Sequence, residues 1–145
     1  CMDEYFKKIS LSAHLNWLPD VELAIRIYRD IPEAYGVLFP FMYSYLEECI
    51  RSLTTEFERN LLQDKKRYKV GMKLIDLAIK ENSENKELVD LLEEYKKYFG
   101  RSTMLDEGDN RNSVNHGYTH PIQWTKENFE ELIKDIARLS EFNIM

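Results

Sequence analysis

Glycine and proline are scarce in this chain, at 5 and 4 residues out of 145. Few positions therefore force the backbone out of a helix, and long helices are favoured over a hairpin-rich sheet. Cysteine is scarcer still, at 2 residues. One precedes Met2 and the other, Cys49, lies inside a helical pattern, so neither a disulfide framework nor a zinc cluster is expected, and Cys49 reads as a small core residue. No apolar run approaches the roughly 20 residues needed to cross a bilayer, and the first residues lack the basic-then-apolar pattern of a signal peptide. A cytoplasmic location is the expectation. Basic charge is also in deficit: 20 Lys and Arg against 26 Asp and Glu leave a net charge of -6. Proteins that grip nucleic acid mainly by neutralising phosphates are usually basic. Any contact of this chain with RNA therefore has to be local, transient or shared with a partner.

What is present is helical periodicity in a chain of single-domain size, 43% hydrophobic and 32% charged, enough to close one core. Tyr43, Leu46, Ile50, Leu53, Phe57 and Leu61 recur at steps of 3 or 4 and predict a helix of about seven turns. Pro40 stands at its first turn or at a kink. A second stripe runs through Tyr68, Met72, Ile75 and Ile79, widened by Leu74 and Ala78. Asn82 and Ser83 break it, and Ser83 is the expected N-cap of the next helix. That helix carries Leu88, Leu91, Leu92, Tyr95, Tyr98 and Phe99, with Gly100 placed to close it. Thr125 caps the last helix, Trp124 and Phe129 match a hydrophobic staple, and Phe129, Leu132, Ile133, Ile136 and Leu139 form its buried face. Near the N-terminus, Pro19-Asp20 opens a shorter helix through Val21, Ala24, Ile25, Tyr28 and Ile31. One additional helical turn is expected between Asp3 and Ile9. The prediction is one all-α domain over residues 1–145: four main helices and a short N-terminal one, with no internal repeat.

Several polar residues read as part of this architecture. Glu47 and Glu48 beside Arg51 are expected as polar-face pairs at helical spacing. His14 beside Trp17 reads as buried or capping, and the nine tyrosines mostly follow the apolar stripes. The basic run Asp64-Lys65-Lys66-Arg67 reads as a solvated helix start.

One stretch is different in kind. Asp109 to Pro121, DNRNSVNHGYTHP, packs an arginine, three asparagines, two histidines, a glycine, a tyrosine and a proline into thirteen residues. Arg111 and His116 are complementary in type. Arginine holds phosphate through several donors and stays charged, whereas histidine titrates near neutrality and moves protons. Together they suffice for metal-free cleavage of an RNA phosphodiester, the imidazole drawing the 2′-hydroxyl proton and the guanidinium steadying the phosphorane charge. Five residues of helix advance about 500°, roughly 140° past a full turn, so convergence needs a helix start, an irregular turn or a second chain. A plainer reading pairs Arg111 with Asp106, Glu107 or Asp109 and leaves His116 to backbone groups. His116 and His120 also have the four-residue spacing of a helical metal site, but Gly117 between them and Pro121 after them interrupt a regular turn, and no metal or other cofactor is expected.

The run Arg111-Asn112-Ser113-Val114-Asn115-His116 resembles the signature of the HEPN superfamily (Higher Eukaryotes and Prokaryotes Nucleotide-binding): an arginine, a polar residue, three variable positions and a histidine. Its place late in an all-α chain is also similar. The resemblance implies a HEPN-like up-and-down bundle. It further implies a metal-independent endoribonuclease of toxin–antitoxin, abortive-infection or phage-defence type. Such proteins commonly work as homodimers, with the two motifs meeting in one composite site on the RNA substrate. Carried over, Arg111 and His116 are the catalytic residues and Asn112 supports them, with Asn115 and His120 secondary. Tyr118 completes an Arg-x4-His-x-Tyr form similar to HEPN toxins paired with a nucleotidyltransferase antitoxin, in which that tyrosine is modified with AMP. Outside these eight residues the chain does not read like that subfamily, and Gly117-Tyr118 also suits a helix end. The superfamily includes non-catalytic modules that bind nucleotide, RNA or a protein partner, which stands as the alternative.

Overall fold

The computed structural model describes residues 2–55, 71–99 and 125–142. All regular structure among them is helical: α1 (Asp3–Ser12), α2 (Leu18–Asp30), α3 (Tyr35–Arg51), α4 (Gly71–Glu81), α5 (Lys86–Tyr95) and α6 (Lys126–Ser140), with 3-10 turns at Pro32–Ala34 and Lys96–Tyr98. The all-α expectation holds. The N-terminal region is larger than expected, since the anticipated single turn is a helix of 10 residues that buries Phe6 and Ile9.

α3 is the centre of the bundle. It packs against α4 and α6, α1 lies along α6 and against α2, and α4 meets α5. The expected seven-turn helix from Tyr43 to Leu61 is corrected at both described limits. α3 begins at Tyr35 and carries Pro40 inside it, at the cost of the hydrogen bond the carbonyl of Gly36 would have received. It stops at Arg51 because the next side chains compete for backbone acceptors: Ser52 Oγ donates to the Cys49 carbonyl (2.6 Å) and Thr54 Oγ1 to that of Arg51 (2.8 Å). Asn82 Nδ2, at the end of α4, donates to the Leu53 carbonyl (2.9 Å) and ties the two ends together. Phe57, Leu61 and Tyr68 lie outside the described residues.

The other termini follow from local chemistry. Gly71 opens α4 at φ 59°, a left-handed conformation that strains any residue with a Cβ. Asn85, not Ser83, caps α5, its side chain accepting from Leu88 N (3.2 Å). Asparagine is among the strongest N-caps, and Ser83 lies in the turn before it. Thr125 caps α6 as expected, accepting from Asn128 N (3.1 Å). Ile31, expected on the buried face of α2, falls just past its end and is exposed.

Aromatic rings form a continuous row through the core. Phe6 meets Tyr28, Tyr28 meets Phe129, Phe129 meets Phe39, Phe39 stacks on Tyr43, Tyr43 meets Tyr98 and Tyr98 meets Tyr95, with centroids 5.0–6.0 Å apart. These pairs add to the area they bury and join α1, α2, α6, α3 and α5 in one line. The buried tyrosines are core residues, as the stripes predicted.

Candidate functional site

Arg111, Asn112, Asn115, His116, Tyr118 and His120 all lie in residues 100–124, outside the described residues, as do Gly100 and Trp124. The structure describes the two flanks of that segment, and both are fixed on α6. The chain arrives through Tyr95, Lys97, Tyr98 and Phe99, and it returns at the Thr125 cap. Tyr95 Oη donates to the Asp135 carbonyl (2.6 Å), and Tyr98 Oη donates to the Asp135 carboxylate. Thr125 and Asp135, ten positions apart, are separated by about 15 Å along the helix.

Asp135 is the most deeply buried charge described, with 0% of its surface exposed. Each carboxylate oxygen is engaged. Oδ2 receives the Tyr98 hydroxyl and faces Lys97 Nζ at 3.2 Å, while Oδ1 faces Arg138 Nη1 at 3.4 Å. A buried carboxylate survives only with such compensation. Asp135 thus anchors the stretch of chain that leads into residues 100–124.

A second buried polar cluster lies on α3. Glu47 and Glu48, expected on a polar face, are buried at 5% and 6% exposure. Arg51 reaches both, Nη2 to Glu47 Oε1 and Nη1 to Glu48 Oε2, each at 3.3 Å. The helical spacing was right and the solvent exposure was not, because α3 buries Leu38, Phe39, Met42, Tyr43, Tyr45, Leu46, Cys49 and Ile50 and leaves little surface for charge. Burial raises the Glu48 carboxyl above the ordinary value, outweighing the opposing pull of Arg51 and, more weakly, His14. His14 is half-buried in the turn before α2, and its backbone carbonyl accepts from Trp17 N and Leu18 N (2.9 and 2.8 Å). Trp17 packs that turn against Phe41 and Tyr45 on α3. Cys49 is a core residue, its thiol pushed up to about 12 by burial.

Tyr43 links the two clusters, lying one turn before Glu47 on α3 and edge-on to Tyr98. Sequence reasoning singled out neither cluster as functional, although Asp135 sits within the stripe of Leu132, Ile136 and Leu139 and was legible there as a buried charge. Among the described residues no group of three or more His, Cys, Asp or Glu is placed to hold a metal ion, and no helix is long and apolar enough to cross a membrane. Compared with protein-family models, curated proteins and solved structures, the chain finds no match.

Proposed function

We propose that the chain is a metal-independent endoribonuclease of toxin–antitoxin or phage-defence type, a HEPN-like bundle acting as a cytoplasmic homodimer. The observation that carries this reading is the run Arg111-Asn112-Ser113-Val114-Asn115-His116 in a chain whose described regular structure is all helical. In this reading the His116 imidazole takes the proton from a ribose 2′-hydroxyl. The freed oxygen attacks the adjacent phosphorus, and Arg111 offsets the charge that builds on the phosphorane. The bond to the 5′-oxygen breaks, and that oxygen receives a proton from the imidazolium of the second copy. The products are a 2′,3′-cyclic phosphate and a 5′-hydroxyl, with no cofactor. Asn112 supports the pair, and Tyr118 is the place where a nucleotidyltransferase-like antitoxin adds AMP. Support from the described residues is indirect: the flanks of residues 100–124 are held on one helix, α6, which suits a segment whose side chains must stay in register.

The net charge of -6 favours the second reading, a non-catalytic HEPN-like module that binds nucleotide, RNA or a protein partner. Incubation of bulk tRNA with purified protein in EDTA, beside His116→Ala, separates the two. Cleavage by the parent that leaves cyclic phosphate ends and is lost in the variant supports the enzyme. Intact tRNA after incubation with folded, dimeric protein unmodified at Tyr118 eliminates it.

A further inference from the structure

The seam between α1 and α2 opens to solvent as a groove of about 700 Å³. Phe6 and Ile25 lie at its base, and two basic side chains line it from opposite walls, Lys7 on α1 and Arg26 on α2. Neither has a hydrogen bond or ion pair among the described residues, and both are exposed. Arg29, one turn beyond Arg26, lies over the Phe6 ring at 5.5 Å and meets Asp3 at 3.2 Å. That pair closes one end of the groove and sets the antiparallel register that puts Lys7 across from Arg26. Glu22 stands toward the other end, beside Ser10 and Pro19.

We infer that this groove is a phosphodiester-binding track that takes single-stranded RNA. The argument rests on charge placement in an acidic protein. A chain of net charge -6 can hold an anionic polymer only where cations are gathered and not already neutralised. The α1–α2 seam provides two such cations facing one channel, with Arg29 held over an aromatic ring behind them. The seam between α5 and α6 has the opposite character: Glu87, Asp90, Glu94 and Glu141 line it against Arg138 alone, and it repels the same polymer. An apolar anchor residue of a peptide would have only the exposed Leu23 and Pro19 to rest on, because the Phe6 ring is buried and covered by Arg29. Glu22 keeps the track weak and salt-sensitive, in keeping with a strand that must be released. The assignment deepens the ribonuclease reading by supplying a substrate contact remote in sequence from Arg111 and His116, and it is tested by binding alone.

The test is fluorescence anisotropy with a labelled single-stranded oligouridylate, titrated with His116→Ala protein over a range of salt. The comparison is with the same protein carrying Lys7→Glu and Arg26→Glu, and with a control carrying Lys80→Glu and Lys86→Glu on the exposed faces of α4 and α5. Two lost phosphate contacts make the log–log salt slope shallower by about 1.4 and weaken binding roughly tenfold or more at low salt. The control stays near the parent, and thermal melting shows all three folded alike. Equal affinity and slope in parent and groove variant overturn the inference, and so does a parent that fails to bind. Displacement by polyglutamate as effective, charge for charge, as by unlabelled RNA overturns the nucleic-acid assignment. Binding lost in the groove variant while tRNA stays uncut by unmodified protein keeps the groove and removes the catalysis. Cutting with binding unchanged in the groove variant does the reverse.

Discussion

Among the described residues the bundle buries carboxylates in two places and balances them differently. Asp135 on α6 is one negative charge met by a phenol and two cations, with both oxygens engaged. Glu47 and Glu48 on α3 are two carboxyl groups reaching the same guanidinium, that of Arg51. The proton affinity of Glu48 is raised in spite of that arginine. Arginine proximity is therefore no guarantee of a low carboxyl pKa in a core, where burial opposes it. Asp135 is built to hold a segment of chain in place. On α3, burial holds Glu48 closer to its protonated form.

The strongest way to break this contrast is to remove the anchor. Asp135→Ala leaves Tyr98 and Lys97 without their shared carboxylate and is expected to lower unfolding free energy by about 3–5 kcal/mol, read by urea denaturation. A cost below about 1 kcal/mol would mean that Asp135 is no more than a surface-type ion pair. The helix cap at the other flank is a milder test. Thr125→Ala is expected to cost about 1 kcal/mol, and a loss equal to that of Asp135→Ala would show the two flanks to be one cooperative unit. A similar effect is expected at Gly71, where φ is 59°: Gly71→Ala should destabilise by about 1–2 kcal/mol through backbone strain, since an added Cβ would meet nothing within 4 Å among the described residues.

Glu48 offers the smallest change and the most diagnostic sign. A folded-state carboxyl raised above the ordinary 4.5 binds its proton more tightly than the unfolded chain does. Its contribution to stability therefore declines as pH rises from about that value through the folded pKa. Glu48→Gln is expected to match the parent below this window and to exceed it at pH 7, with stability against pH as the measurement. A variant less stable than the parent at pH 7 would show that the Arg51 contact outweighs burial.

Much of the fold was readable because apolar spacing encodes it directly. Every residue expected on the buried face of α6 is buried, and so are Leu88, Leu91, Leu92 and Tyr95 on α5. Boundaries were less readable where side chains compete for the backbone. Ser52 and Thr54 ended α3 early, and Asn85 capped α5 in place of Ser83. The α3 carboxylates were misjudged because periodicity reports one stripe, whereas a central helix buries most of its circumference. The motif residues owe their standing to chemistry and resemblance, since their segment lies outside the described residues. Lys7 and Arg26 left no sequence signal, because only the pairing of α1 with α2 brings them to one groove.

The packing of α1 along α6 also sets an order of events during synthesis. Lys8 on the first helix meets Glu141 just past the last one at 2.7 Å, so residues 133 positions apart in the chain complete the same surface. As the polypeptide leaves the ribosome, α1 can meet α2 early but waits for the intervening helices to emerge before α6 exists. The same holds for Tyr98, whose anchor, Asp135, is translated after Arg111 and His116. A nascent or truncated chain can thus display the motif while lacking the helix that holds both of its flanks.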